Sequence, residues 1–202
     1  LQGRRIMIPI TIISGFLGAG KTTYLQHILN CGNTNERILI IENDFGETSL
    51  DAKQLSTSGA TVREVTSGCI CCSLQGNFKN ALIDILSTQD IDQIYIEPSG
   101  VSKLSEILYT CDDDDITSKA YISMIITVVD AMQAPMAIKN FGPFFKDQIK
   151  HCYAMLLTHV EDKKQVEKTK QLIVELAPHT PIYTDVDALQ QDINQLKSNT
   201  HK

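Results

Sequence analysis

The segment GFLGAGKTT at positions 15–23 decides the fold of this chain. It follows an apolar run at residues 8–13, which predicts a buried strand, and it precedes residues 22–30, which predict a helix. A glycine-rich loop between a strand and a helix is the context that separates a phosphate-binding loop from a chance match to G-x-x-x-x-G-K-[ST]. We therefore predict that this loop binds the phosphates of a nucleotide.

The residue types in the loop suit that chemistry. Glycines let successive backbone N–H groups turn towards phosphate oxygens without a Cβ clash, and the helix N-terminus adds partial positive charge. Lys21 is predicted to neutralise the β- and γ-phosphates, and the Thr22 hydroxyl to ligate Mg²⁺. The predicted phosphate-binding residues are Gly15, Gly18, Ala19, Gly20, Lys21, Thr22 and Thr23.

Length and composition limit the class of protein. The 202 residues are enough for one full-sized domain, with 43% hydrophobic and 21% charged residues. The net charge of −6, with no basic stripe, argues against a nucleic-acid partner. No apolar run approaches the ~20 residues that span a bilayer, so we expect no membrane partner. We expect residues 1–6 to be foreign to the native chain, which would begin at Met7 and form one domain over 7–202.

Three of the six cysteines fall within four residues, at Cys69, Cys71 and Cys72. A nucleotide-binding protein belongs in the reducing cytosol, so we expect a cytoplasmic location and metal or redox chemistry rather than disulfides. Three thiolates from one loop can hold a soft metal and leave one tetrahedral position open. Two alternatives remain, namely structural cysteines or a redox dithiol.

Apolar strands alternate with amphipathic helices along the chain, which indicates an α/β fold. We predict a three-layer P-loop NTPase with a mostly parallel central sheet and helices on both faces. Residues 61–66 read as an edge strand, the acidic residues 112–115 as a solvated loop, and residues 140–143 as a loop. Further strands are predicted at 37–42, 91–97, 122–129, 154–158 and 181–184, and helices at 78–86, 103–110, 163–176 and 188–196.

Two acidic clusters follow predicted strands. In residues 42–47, carboxylates can hold a cation or position the attacking water, and a charged turn is the alternative. Glu97 closes the strand before Pro98 and is typical of a carboxylate that binds Mg²⁺ or its waters. Gly100 could offer its N–H to the γ-phosphate. The predicted catalytic residues are Lys21, Asp44 and Glu97, and Glu42 is a candidate metal ligand.

The segment THVED at 158–162 lies where a P-loop protein recognises its base. A carboxylate here can accept hydrogen bonds from the N1 and N2 groups of guanine, which adenine cannot donate. A strand-to-helix turn is the alternative reading. Thr158, His159 and Glu161 are the predicted base-side residues.

The motifs GFLGAGKTT, ENDFGE, GCICC, EPSG and VVDA occur in that order, and with them the chain resembles the CobW family of P-loop GTPases, relatives of HypB and UreG. The resemblance covers nearly all of residues 7–198. It implies slow GTP hydrolysis that drives metal delivery, Mg²⁺ at the nucleotide, and a client metalloprotein or an enzyme of a metal-cofactor pathway. It also implies that Cys69, Cys71 and Cys72 bind Zn²⁺, or Co²⁺ or Ni²⁺, and it suggests a nucleotide-dependent homodimer.

Two features depart from the family pattern. The usual Asn-Lys-x-Asp is replaced by Thr158-His159-Val160-Glu161, so Glu161, or Asp162 after a one-residue slip, would read guanine. Family members also carry a C-terminal domain, which we expect to be absent from this sequence, either because the member is short or because the chain is truncated. Two further functions stay open: an ATP-dependent small-molecule kinase, and a regulator that binds nucleotide and metal with negligible turnover.

Overall fold

A computed structural model describes residues 7–31, 36–42, 61–66, 75–88 and 90–200. Within these ranges, seven strands form one sheet in the order β3-β2-β4-β1-β5-β6-β7. All the neighbouring pairs are parallel. The strands are β1 (Ile8–Gly15), β2 (Arg37–Glu42), β3 (Thr61–Thr66), β4 (Gln93–Glu97), β5 (Ala120–Asp130), β6 (Ala154–Thr158) and β7 (Ile182–Tyr183).

Helices cover both faces of the sheet. The described helices are α1 (Lys21–Cys31), α2 (Gln75–Thr88), α3 (Leu104–Cys111), α4 (Asp114–Thr117), α5 (Ala134–Lys150), α6 (Lys163–Leu176) and α7 (Val186–Thr200). Residues from α1 and α7 pack in one apolar cluster, and residues from α2 to α6 pack in another. Alternate residues of β1 divide between the two, since Ile12 belongs to the larger cluster and Ile13 to the smaller. The predicted three-layer fold is therefore confirmed.

The predicted edge position of residues 61–66 is also confirmed, because β3 ends the sheet and pairs only with β2 among the described strands. Parallel pairing aligns the carboxyl ends of β1, β2, β4, β5 and β6 along one rim. The polar motifs that follow those strands consequently start from the same edge of the sheet.

The acidic run at 112–115 was predicted to be a solvated loop, which is right for the exposure of Asp112, Asp114 and Asp115 but wrong for the backbone, because α4 begins at Asp114. Asp113 caps the short helix α4, its side chain accepting a hydrogen bond from the backbone N–H of Asp115. Asp113 also forms an ion pair with Lys79 of α2. The run thus joins two helices instead of forming a bare turn.

The loop predicted at 140–143 is wrong in part, because helix α5 runs from Ala134 to Lys150 and is interrupted there only by a kink. The helix is kinked at Phe141, whose φ of −132° and ψ of 31° are not helical, and Pro143 follows. Buried Ala137, Phe145 and Ile149 hold it against the sheet. Burial of this face outweighs the local preference of Asn, Gly and Pro for a turn.

Among the described residues, no helix is both long enough and apolar enough to cross a bilayer.

Candidate nucleotide and metal site

The phosphate loop joins β1 to α1 and lies at the carboxyl rim of the sheet. Three of its glycines have positive φ: Gly15 at 144°, Gly18 at 71° and Gly20 at 95°. At Gly15 a Cβ atom would lie 2.2 Å from the Val128 carbonyl oxygen, so only glycine fits. Helix α1 begins at Lys21, and its first N–H groups are the ones a helix leaves unbonded. The local geometry is that of an anion cradle.

The structure brings the two predicted Mg²⁺ ligands together. The Thr22 hydroxyl donates a hydrogen bond to Glu97 Oε1 at 2.8 Å, across 75 residues of sequence. Glu97 ends β4 and is buried, as is Lys21 at the start of α1. The donor set of a hydroxyl and a carboxylate, both oxygen atoms, is the one that Mg²⁺ prefers.

Glu42 lies beside this pair at the end of β2. Its Cα is the register partner of both Glu97 on β4 and Thr66 on β3, and its side chain is buried. The chain leaves β3 at Thr66, three positions before Cys69. Asp44 and the cysteines Cys69, Cys71 and Cys72 lie outside the described residues, so their predicted roles stay predictions.

Two of the remaining cysteines are unsuited to metal binding. Burial raises the pKa of the Cys111 thiol to about 12. Burial also raises the pKa of Cys152 to about 11, although hydrogen bonds with Thr127 partly oppose it. Because metal ligation needs the thiolate, both side chains behave as core residues at neutral pH. Of the three other cysteines, only Cys31 is exposed.

Gly100, the predicted γ-phosphate contact, packs directly against the phosphate loop. A Cβ atom on Gly100 would lie 2.3 Å from the backbone N of Leu17 and 2.8 Å from its Cα. The loop after β4 can approach the phosphate loop this closely only because position 100 is glycine.

The predicted base-side residues lie at the end of β6 and directly after it. The Thr158 hydroxyl donates to the Ala19 carbonyl at 2.9 Å, which ties the end of β6 to the phosphate loop. His159 has a φ of 53°, uncommon for a residue other than glycine. This turn places its Nδ1 atom 3.3 Å from Asp130 Oδ2, while 55% of the side chain stays exposed.

The sequence did not assign a role to Asp130, which ends β5. Its Oδ1 accepts from the backbone N–H groups of Met132 and Gln133, and its Oδ2 accepts from Gln133 Nε2 at 2.8 Å. Asp130 therefore fixes the turn after β5 and lies within 3.3 Å of the His159 ring. An acid closing an apolar strand at this rim was the one available signal in the sequence, and the same pattern did identify Glu97.

The two carboxylates proposed for base recognition, Glu161 and Asp162, have different surroundings in the structure. Asp162 is the N-cap of α6, and its Oδ1 accepts from the backbone N–H groups of Lys164 at 2.9 Å and Gln165 at 3.1 Å. Glu161 is exposed and precedes the helix. Of the two carboxylates, only Asp162 is therefore engaged in capping the helix.

A family model described as the CobW/HypB/UreG nucleotide-binding domain matches residues 9–184. The chain belongs to this family. The match includes the phosphate loop, Glu42, Glu97, Asp130 and the segment 158–162.

Curated relatives support the assignment to the CobW/HypB/UreG family. The zinc chaperone YjiA of Escherichia coli strain K12 is 32% identical over 183 residues, which are 88% of this chain and 57% of YjiA. The zinc chaperone CobW of Pseudomonas aeruginosa is 34% identical over 134 residues, which are 61% of this chain and 36% of CobW. The chain therefore spans little more than half of YjiA and about a third of CobW.

A solved structure of the family has the same fold. The crystal structure of the Zn(II)-bound YjiA GTPase from E. coli matches with a TM-score of 0.66 and 27% sequence identity. The match covers 89% of this chain and 57% of that one.

Proposed function

We propose that this chain is a GTP-hydrolysing domain that couples nucleotide turnover to the binding and delivery of a transition metal, with Zn²⁺ as the foremost candidate. The observation that carries the proposal is the hydrogen bond of 2.8 Å between Thr22 and Glu97 beside a glycine-rich anion cradle. The relatives named as zinc chaperones support the choice of metal. A reducing, cytoplasmic compartment would keep the cysteines available as ligands.

At the phosphates, the proposed roles follow from position. Lys21 binds the β- and γ-phosphates, and the Gly100 N–H contacts the γ-phosphate. Thr22 and Glu97 would hold Mg²⁺, which neutralises phosphate charge when it is bound. Asp44 is proposed to orient the attacking water.

At the base, the proposed selectivity for guanine depends on Glu161. Its carboxylate would accept from N1 and N2 of the base. Thr158 keeps this segment against the phosphate loop, and Asp130 lies 3.3 Å from the exposed His159 ring, which we propose contacts the base.

The metal is proposed to be cargo held by Cys69, Cys71 and Cys72, with Glu42 as a possible fourth ligand. Glu42 is the register partner of Glu97, so the nucleotide and metal sites would adjoin at one rim. A client metalloprotein or a metal-cofactor enzyme would receive the ion. A nucleotide-dependent homodimer is also part of the proposal.

A competition between GTP and ATP tests this function. We expect GTP to displace a fluorescent GDP analogue at lower concentrations than ATP does, and phosphate release without any added acceptor. Lys21→Ala should abolish both, while Lys170→Ala on α6 serves as a charge-matched control. Equal displacement by ATP, with phosphate transferred to an acceptor, would support a kinase instead. Normal GTP affinity with hydrolysis lasting hours would support a regulator.

A further inference from the structure

The side chain of Gln148 holds the loop that follows Glu97. Its Nε2 donates two hydrogen bonds of 3.1 Å, one to the Gly100 carbonyl and one to the Ser102 carbonyl. Gln148 is 1% exposed, although it lies on a helix separated from Gly100 by 48 residues. An amide that is buried this completely and bound to two loop carbonyls fixes the path of that loop.

The neighbouring residue of α5 extends the contact. Asp147 Oδ2 accepts from the backbone N–H of Ser105 at 3.0 Å, in the first turn of α3. The Gln148 carbonyl accepts from the Thr127 hydroxyl at 2.9 Å, which anchors this end of α5 to β5. Two consecutive residues of α5 therefore bind the segment 100–105 at three backbone atoms.

The other side of the same loop faces the phosphate loop. Gly100 lies so close to Leu17 that there is no room for a Cβ atom. Near its kink, α5 also contacts the phosphate loop, because the rings of Phe141 and Phe16 lie 4.9 Å apart. Gly100 is consequently held between the phosphate loop and the amide of Gln148.

Burying the Gln148 amide costs free energy that burying an apolar side chain at this position would not. Within the described part of the chain, Gln148 Oε1 and Ser102 Oγ are buried and accept or donate no hydrogen bond. A buried polar atom left unbonded costs free energy. An apolar side chain would fill the same space without that cost but would leave the two loop carbonyls unbonded.

We propose that Gln148 is a positioning residue that sets the Gly100 peptide for contact with the γ-phosphate, and so discriminates nucleoside triphosphate from diphosphate. The proposal rests on the function proposed above and adds a residue that does not itself touch the nucleotide. Without Gln148 the loop would lose its two hydrogen bonds to α5 at Gly100 and Ser102 and keep only the one from Asp147 to Ser105. Triphosphate binding would then have to pay for ordering the loop, whereas diphosphate binding would not.

The test compares Gln148→Met with Gln93→Met in the full chain. Gln93 is a matched control because it is also buried, and its Nε2 also donates to two backbone carbonyls, those of Pro9 and Ile94. It lies at the start of β4, at the opposite end of the strand from Glu97. We measure dissociation constants for GDP and for a non-hydrolysable GTP analogue, both with Mg²⁺.

We expect Gln148→Met to reduce the affinity for the GTP analogue about tenfold more than the affinity for GDP. A change of this size corresponds to the loss of one or two hydrogen bonds. Gln93→Met should leave the ratio of the two constants unchanged. An unchanged ratio in Gln148→Met overturns the proposal, and so does an equal change in both variants, which would indicate general destabilisation. If the wild-type chain binds neither nucleotide, the proposed function itself fails, and the role of Gln148 fails with it.

A measurement on the wild-type chain covers the case in which Gln148→Met does not fold. We expect amide hydrogen exchange over residues 101–105 to be slower with the GTP analogue than with GDP. Equal exchange in the two states would overturn the proposal, and with it the proposed contact of Gly100 with the γ-phosphate, while nucleotide binding itself would stand.

Discussion

At the scale of single residues, close backbone approach determines what the site tolerates. Gly15 packs on Val128, and Gly100 packs on Leu17, in both cases at distances that exclude a Cβ atom. Gly142 of α5 is the opposite case, since a Cβ atom there would meet nothing within 4 Å. The chain therefore contains a matched pair of glycines for testing the approach of the two loops.

We expect Gly100→Ala to lower the free energy of unfolding by about 2 kcal/mol or more, because the methyl group meets backbone that must move. It should also weaken binding of the GTP analogue. Gly142→Ala should change the stability by less than about 0.5 kcal/mol. Chemical denaturation of the three proteins provides the measurement. A Gly100→Ala protein as stable as Gly142→Ala would show that the two loops do not pack as described.

At the scale of elements, the adjacent carboxylates Glu161 and Asp162 differ in their relation to helix α6. Asp162 caps α6, whereas Glu161 stands free of the cap and follows the strand that is tied to the phosphate loop. Substituting each residue separately should therefore affect different properties.

We expect Asp162→Ala to reduce stability by about 1 kcal/mol, as a lost N-cap does, with little change in nucleotide affinity. Glu161→Gln should leave the stability unchanged and reduce the preference for GTP over ATP. Thermal unfolding and nucleotide competition distinguish the two effects. If Asp162→Ala alone abolished the preference for GTP, the base would be read by Asp162.

A second prediction at this scale concerns the amino ends of β2 and β4. Asp92 accepts hydrogen bonds from the Arg37 guanidinium at 2.8 and 2.9 Å and from the Arg37 backbone N–H at 2.9 Å. These hydrogen bonds lower the pKa of Asp92 from 3.8 to about 2, against a smaller opposing effect of desolvation. A carboxyl group whose pKa is lowered by folding stabilises the fold above its unfolded pKa, and the contribution disappears as the pH falls towards the folded pKa.

We therefore expect Asp92→Asn to be less stable than the wild type at neutral pH. The difference should shrink as the pH falls from 3.8 to about 2. Denaturation curves over this range provide the measurement, with the exposed Asp84→Asn of α2 as control. A difference that stays constant with pH would contradict the assigned cause. Because both side chains are more than a third exposed, added salt should reduce the effect.

Features that depend on residues close together in the sequence could be predicted, and features that depend on distant residues could not. Short local sequence patterns identify the phosphate loop, the strands and the acidic residues that end the strands. The rim of the sheet could therefore be predicted. Helix α5 could not, because its turn-forming residues are overruled by the burial of Phe145 and Ile149. Gln148 carries no local signal, since its partners Gly100 and Ser102 lie 46 or more residues away.

At the scale of the whole molecule, the order of the strands puts Glu42, the candidate metal ligand, beside Glu97 of the nucleotide site. Strand β2 lies between β3 and β4, so Glu42 stands between Thr66, where the cysteine segment begins, and Glu97 beside Thr22. The proposed metal site would then adjoin the nucleotide site, which is why we propose that the two are coupled. If nucleotide binding changes the metal affinity by some factor, metal binding must change the nucleotide affinity by the same factor.

The most direct test of this coupling is the affinity for Zn²⁺, measured with saturating GDP and with a saturating non-hydrolysable GTP analogue, both with Mg²⁺. We expect the two dissociation constants to differ by about fivefold or more. The same factor should appear when nucleotide affinities are measured with and without Zn²⁺. Equal Zn²⁺ affinities in the two nucleotide states would contradict the proposal that nucleotide turnover drives metal delivery.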